Sequence, residues 1–543
     1  MQAKYDWQQK VISLIWLSYC ISIPKTYFGS QEYLQKLATQ SIKAVLADSK
    51  IRGLIGKWEM VWGCGVSQLG KKSVSSDVND HTIFIVKDLD STEIDRYVIS
   101  LAGTNPFSVQ DMLLEDVNIA ISKPWNNGEP WKTTEKLFKT NDKPAVTKGI
   151  SKSLRVLMTQ IKSDGKLLLD YLLELTSNAK KPIEITVAGH SLAGAISPSL
   201  ALSLVEQQKE WDKAKIATTV KVVSVAGFSP GNGAFADYYD QTLGPNTVRI
   251  WNRADIVPNV WEAEALKKVP GMYDPYIPTN LIFQLVFNQI AEGTCEAQDY
   301  QFILKSVPGF ANEYKPNLLL DDPSIRDVVL DVCSETISYA CMIELQTVDI
   351  LDIFDDQIED FTQDLTDFIK NSLKLMVEFG EDCAETLKEG LEELLDQYGG
   401  FGGFLLRGFS IPANIYGKIF SQSTIVELFN YILQVLYQHV WAYVHYYKID
   451  EFDQRRQEIT TQTVALIEEA EKSIQPTNTV IVKYGAAKSD DIKDLYNGEG
   501  KLFIGIADKV EQLKKSEEVS KNAQPIIFVV EKKKEEKGIF DWF

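Results

Sequence analysis

Four short runs between residues 95 and 255 constrain the fold more than any other feature of the chain. "RYVISLAGT", "IEITVAGHS", "VKVVSVAGFSP" and "NTVRIWNRAD" are apolar and β-branched, and each breaks off in Gly, Asn, Asp or Ser turn chemistry. A run with no polar alternation is a strand buried on both faces. Between the runs lie amphipathic stretches such as "SKSLRVLMTQIKSDGKLLLDYLLEL", which read as helices. Buried strands alternating with helices predict an α/β fold with a mainly parallel central sheet covered on both sides.

The second run leads into "ITVAGHSLAG", a strand, a tight turn and a helix start, with Ser191 at the turn. A serine in that position takes a strained backbone and tolerates only small neighbours. Gly189 meets the demand, while Ala193 stands where a second glycine is usual and is followed by Gly194. Ser191 is therefore a candidate nucleophile, the alternative being a structural turn. Pro198 should weaken the helix that follows, because it removes one amide donor.

The segment "GHSLAGA" resembles the "GHSLGGA" turn of the class 3 lipases, and further blocks follow that family in order. "LAGTNPFSVQDMLLED" is similar to a family segment in which Arg is common at the place of Ala102 and Trp at the place of Met112. "VTKGISKSLRVLM", "AGFSPGNGAFADYY" and "VRIWNRADIVPNV" resemble three others, so the likeness spans roughly residues 95–260. It implies an α/β-hydrolase fold and a serine hydrolase that cleaves carboxylic esters of lipids through an acyl-enzyme. Ser191 would be the nucleophile and Asp255 the acid. The backbone amide of Leu192, with Thr104, would form the oxyanion hole, and no metal or cofactor is called for. A catalytically inactive member serving as a binding or scaffold protein is the alternative reading.

The chain has four histidines. His190 adjoins the nucleophile and points away from it in such turns, and His81 comes before the core strands. The base is then sought in "YQHVWAYVHYY". Family members carry an aromatic residue a few positions after the histidine, which favours His439 and leaves His445 as the alternative.

The remaining chain sets the expected domains. Residues 1 to about 75 read as mostly helical, and residues 1–261 as N-terminal helices and hydrolase core. Residues 262–438 read as a helical acidic insert, a cap or lid. Within it, residues 351–400 hold 15 acidic and 3 basic side chains, −12 of the net −19. Phe354, Ile358, Phe361, Leu365 and Phe368 form one apolar helical stripe there, and "YGGFGGF" offers a hinge. Residues 439–449 would return to the core with the histidine. Residues 450–543 would form a charged helix and a small α+β appendage with a mobile tail.

A net charge of −19 disfavours nucleic acid and anionic membranes as partners, and leaves a lipid or ester substrate, including one at a neutral lipid interface. The six scattered cysteines predict neither a metal site nor a disulfide framework. "VISLIWLSYCISI" is too short to span a bilayer, and no other transmembrane segment is read. It follows a leader containing Asp6 and lacks a cleavage pattern, so a buried helix is preferred to a signal peptide. That tips the location toward the cytoplasm without fixing it. Protein partners are not legible.

Overall fold

The computed structural model describes residues 3–23, 27–68, 81–103, 121–137, 139, 142–214, 216–279, 284, 287, 288, 290–315, 430, 431, 433–474, 480–487 and 526–532, with side chains to residue 470. Thr104, the acidic stretch 351–400 and the "YGGFGGF" run lie outside these residues. The chain divides into two units, Met1–Thr463 and Val464–Phe543.

The first unit is built on a six-stranded sheet whose spatial order follows the sequence: β1 (Trp58–Ser67), β2 (His81–Asp88), β3 (Asp95–Leu101), β4 (Ile183–His190), β5 (Thr218–Val225) and β6 (Thr247–Ile250). β3 to β6 run parallel, and β1 and β2 are added antiparallel at one edge. The parallel strands are the four runs recognised in the sequence, and in β4 every residue but Glu184 is buried.

Two expectations for the first hundred residues need correction. Helix does not extend to about residue 75: α1 (Trp7–Leu17), α2 (Gln31–Ala47) and α3 (Ser49–Ile55) end there, and β1 begins at Trp58. β2 is a further strand that the reading passed over. β1 escaped notice because its register against β2 shifts between Met60 and Trp62 and again between Trp62 and Gly65, which destroys the period-two pattern.

The pleat divides the sheet's contacts. Ile99 of β3 and Ile185 and Val187 of β4 join one core with α4 (Lys148–Thr159), α5 (Leu168–Ser177) and α6 (Leu192–Glu206). Ser100, on the other face, donates its hydroxyl to the Leu14 carbonyl of α1 at 2.9 Å. The N-terminal apolar run is thus a helix laid on the sheet, buried from Val11 to Leu17. Asp6 starts it: its carboxylate accepts the Gln9 amide while the Gln9 side chain accepts the Asp6 amide.

α6 continues unbroken through Pro198. Proline leaves the carbonyl four residues earlier without its helical donor. That carbonyl belongs to Gly194, and the Ser224 hydroxyl of β5 donates to it at 2.6 Å. The repair is possible because α6 lies very close to the sheet. A Cβ on Gly194 would come 2.3 Å from the Val225 carbonyl oxygen.

Further along, the chain runs through a π-helical turn, Tyr437–Trp441, then α7 (Ala442–Tyr446) and α8 (Asp450–Ile474). In the first unit Arg455 of α8 pairs with Asp48 at 2.7 Å, and buried Arg456 donates to the Ile23 carbonyl. In the second unit, strands Val480–Ala487 and Ile526–Lys532 pair in parallel. Among the described residues no helix is long and apolar enough to cross a membrane.

Candidate active site

The site lies beyond the carboxyl ends of β3 to β6, where open parallel sheets place their functional loops. Ser191 follows β4 directly, at φ 63° and ψ −128°. This left-handed backbone is costly for a residue with a side chain. It is held by the Ser191 amide, which donates to the Val225 carbonyl at 3.0 Å, and by Gly189. A Cβ on Gly189 would sit 2.4 Å from the Ala193 carbonyl oxygen and 2.7 Å from the Ala193 methyl. The missing Cβ at position 189 therefore makes room for the methyl at 193, and close approach to the sheet is left to Gly194.

Asp255 sits in the loop after β6 and is fully buried. Its Oδ1 accepts the Val257 amide at 3.0 Å. Its Oδ2 accepts the Tyr443 hydroxyl at 2.8 Å and faces His439 Nδ1 at 2.9 Å. On the other side of the ring, His439 Nε2 lies 2.8 Å from Ser191 Oγ. With a carboxylate as acceptor, Nδ1 carries the proton and Nε2 receives the serine hydroxyl.

Ser191, His439 and Asp255 are thus brought together in one hydrogen-bonded line, with the imidazole between the hydroxyl and the carboxylate. His439 projects from the π-helical turn, a distortion frequent at functional sites. His445 is not brought there. It stands one and a half turns further on, about half exposed, and pairs with Asp450 on the surface.

Leu192 is the first residue of α6, so its amide has no acceptor within the helix. Among the described residues no group of three His, Cys, Asp or Glu side chains gathers to hold a metal ion.

Sequence reasoning missed the residues that hold the three in place. The Tyr443 hydroxyl accepts the Asn252 amide at 3.0 Å while donating to Asp255. Asn252 in turn donates through Nδ2 to the Gln438 side chain at 2.8 Å, tying the Asp255 loop to the turn that carries His439. Burial first, and then the Asp255 charge, hold the Tyr443 phenol well above its usual range, so it remains a donor. Its spacing from His439, one helical turn in "HVWAY", was the available signal.

Comparison with known proteins adds an independent line. Residues 98–264 match the family described as lipase (class 3), and residues 467–538 match a family of unknown function, DUF6200. Among solved structures, the chain is similar to M37 lipase at 25% identity and a TM-score of 0.49, covering 65% of this chain and 97% of that one. It is also similar to a lipase from Rhizopus microsporus var. chinensis at 16% identity and a TM-score of 0.28, over 48% of this chain and 71% of the other. The native Rhizomucor miehei lipase propeptide complex is similar at 16% identity and a TM-score of 0.22, over 43% and 65%. No curated protein matches the chain.

Proposed function

We propose that the chain is a serine hydrolase cleaving acyl esters of lipids, a reading supported by the match of residues 98–264 to the class 3 lipase family and by the mainly parallel sheet of an α/β-hydrolase fold. Ser191 is the nucleophile, His439 the base and Asp255 the acid. The observation that carries this reading is the continuous hydrogen-bonded line from Ser191 Oγ through the His439 ring to Asp255 Oδ2.

The chemistry follows from that line. Ser191 Oγ attacks the ester carbonyl as its proton passes to His439 Nε2. Asp255 stabilises the imidazolium that forms. The Leu192 amide, and Thr104 by family likeness, take the oxyanion, each donor contributing about 3 kcal/mol. Collapse of the tetrahedral species expels the alcohol, which takes the proton back from His439. Water, deprotonated by His439, then cleaves the acyl-Ser191 ester and releases the carboxylic acid.

Triacylglycerols and phospholipids are the substrate classes we propose. The apolar stripe read in the sequence at residues 354–368 favours long acyl chains. The test combines a fluorophosphonate probe with a panel of triacyl, phospholipid and short-chain esters. Covalent labelling that maps to Ser191, with turnover greatest on long acyl chains, is expected. A well-folded chain that takes no label would instead be a binding or scaffold protein.

A further inference from the structure

His190 neighbours Ser191 in the chain but takes no part in the steps above. It is almost wholly buried, its ring packed between Trp16 at 4.8 Å, His439 at 4.6 Å and Tyr443 at 5.6 Å between ring centres. Each of its ring nitrogens has a polar partner. Nε2 lies 2.7 Å from the His439 carbonyl oxygen, and Nδ1 lies 3.0 Å from the Tyr19 hydroxyl. The Tyr19 oxygen in turn accepts the Gly103 amide at 2.8 Å.

One assignment of protons satisfies all of these contacts. A carbonyl only accepts, so Nε2 carries the hydrogen. Nδ1 is then a lone pair, and the Tyr19 hydroxyl, which also lies 3.2 Å from the His190 carbonyl oxygen, donates to the nearer Nδ1 while receiving Gly103. The line runs from the Gly103 amide, at the exit of β3, through Tyr19 and His190 to the backbone of His439.

We propose that Tyr19 and His190 form a positioning relay that ties the backbone of His439 to the turn carrying Ser191 and to the exit of β3. This rests on the reading of His439 as the base. Ser191 and His439 are then joined twice, once by their side chains and once through His190, which is bonded to the serine's own peptide. Two links fix the approach of Oγ to Nε2 more firmly than one, and misplacement by a fraction of an ångström is costly in such reactions. The junction also accounts for the glycine in "LAGT". A Cβ on Gly103 would lie 2.5 Å from the His190 carbonyl oxygen, 2.6 Å from the Tyr19 hydroxyl and 2.9 Å from Ser191 Cβ.

The surroundings keep the relay in one protonation state. Burial, and then the neighbouring His439, push His190 well below its ordinary value, although the hydrogen bond to the His439 carbonyl works the other way. Burial pushes the Tyr19 phenol up. The titratable groups facing His190 are Tyr19, His439 and Tyr443. A neutral His190 does not repel the imidazolium that forms on His439 during turnover.

With four histidines in the chain, ring-nitrogen NMR of the full-length protein can follow each one, and His190→Gln identifies the signal of His190. The relay requires a neutral Nε2–H tautomer between about pH 5 and pH 8, on both sides of the ordinary histidine value. It also requires the Nδ1 resonance to move in Tyr19→Phe. That variant should lower kcat by about fivefold, the equivalent of one neutral hydrogen bond, with KM unchanged. An Nδ1–H tautomer, a His190 that titrates in this range, or an unchanged kcat in folded Tyr19→Phe overturns the relay. Fluorophosphonate labelling of Ser191 in the unaltered protein is the control. If labelling fails there, the catalytic reading itself is lost. If labelling succeeds and Tyr19→Phe behaves as the parent, the relay alone is lost.

Discussion

Ser191 Oγ and His439 Nε2 meet at 2.8 Å although 248 positions separate them in the chain. The serine is fixed by the sheet, at the end of β4, and the histidine by the π-helical turn Tyr437–Trp441. Nothing local holds them together. The join depends on Asp255 and Tyr443 on one side of the imidazole and on His190 on the other.

The repair of Pro198 gives a stability prediction. Removing the Ser224 hydroxyl leaves the buried Gly194 carbonyl without the donor that replaces the proline's missing amide. Ser224→Ala should lower unfolding free energy by about 1–3 kcal/mol, read as a shift of the urea midpoint at unchanged slope. A smaller change would mean that Gly194 has found another donor.

The backbone of Ser191 makes a second. Its positive φ costs a residue bearing a Cβ about 1–2 kcal/mol, and glycine is free of that cost. Both Ser191→Ala and Ser191→Gly should be inactive, but the glycine variant should be the more stable of the two. Equal stability in thermal or urea unfolding would argue that the turn is unstrained.

His190 sets a pH dependence of stability. Its value in the folded chain lies below the unfolded value of about 6.5. Above that pH both states are neutral and the contribution is complete. As the pH falls through it, the unfolded chain gains a proton that the native chain refuses, and stability falls toward the folded value. The expected slope approaches about 1.4 kcal/mol per pH unit between roughly pH 6 and pH 5. His190→Gln should be less stable at neutral pH and should lack this component, which urea unfolding at several pH values can show.

The parallel core was legible in the sequence because burial on both faces leaves an uninterrupted apolar run, as in β4. β1 was not, since its register shifts remove the alternation that marks a strand. Ser191, Asp255 and His439 could each be named from a short pattern, and the choice of His439 over His445 leaned on the aromatic residue that follows it. The supports of the site were illegible for a different reason. Tyr19 and His190 meet across 171 positions, and Asn252 and Gln438 across 186. Only the packing of α1 and the returning turn against the sheet creates these pairs, and no local motif encodes them. The likeness to the lipases pointed to Ser191 and Asp255, while Tyr19, Gln438 and Tyr443, which bond to the groups around them, lie outside residues 98–264.

Hydrolysis of a chromogenic acyl ester by the full chain, by His439→Ala and by His445→Ala tests the central claim most directly. With Ser191, His439 and Asp255 acting as a unit, His439→Ala should lose about ten-thousand-fold or more in kcat. His445→Ala, altered only at a half-exposed surface pair, should keep nearly all of it. Loss of turnover in His445→Ala with retention in His439→Ala would contradict the account.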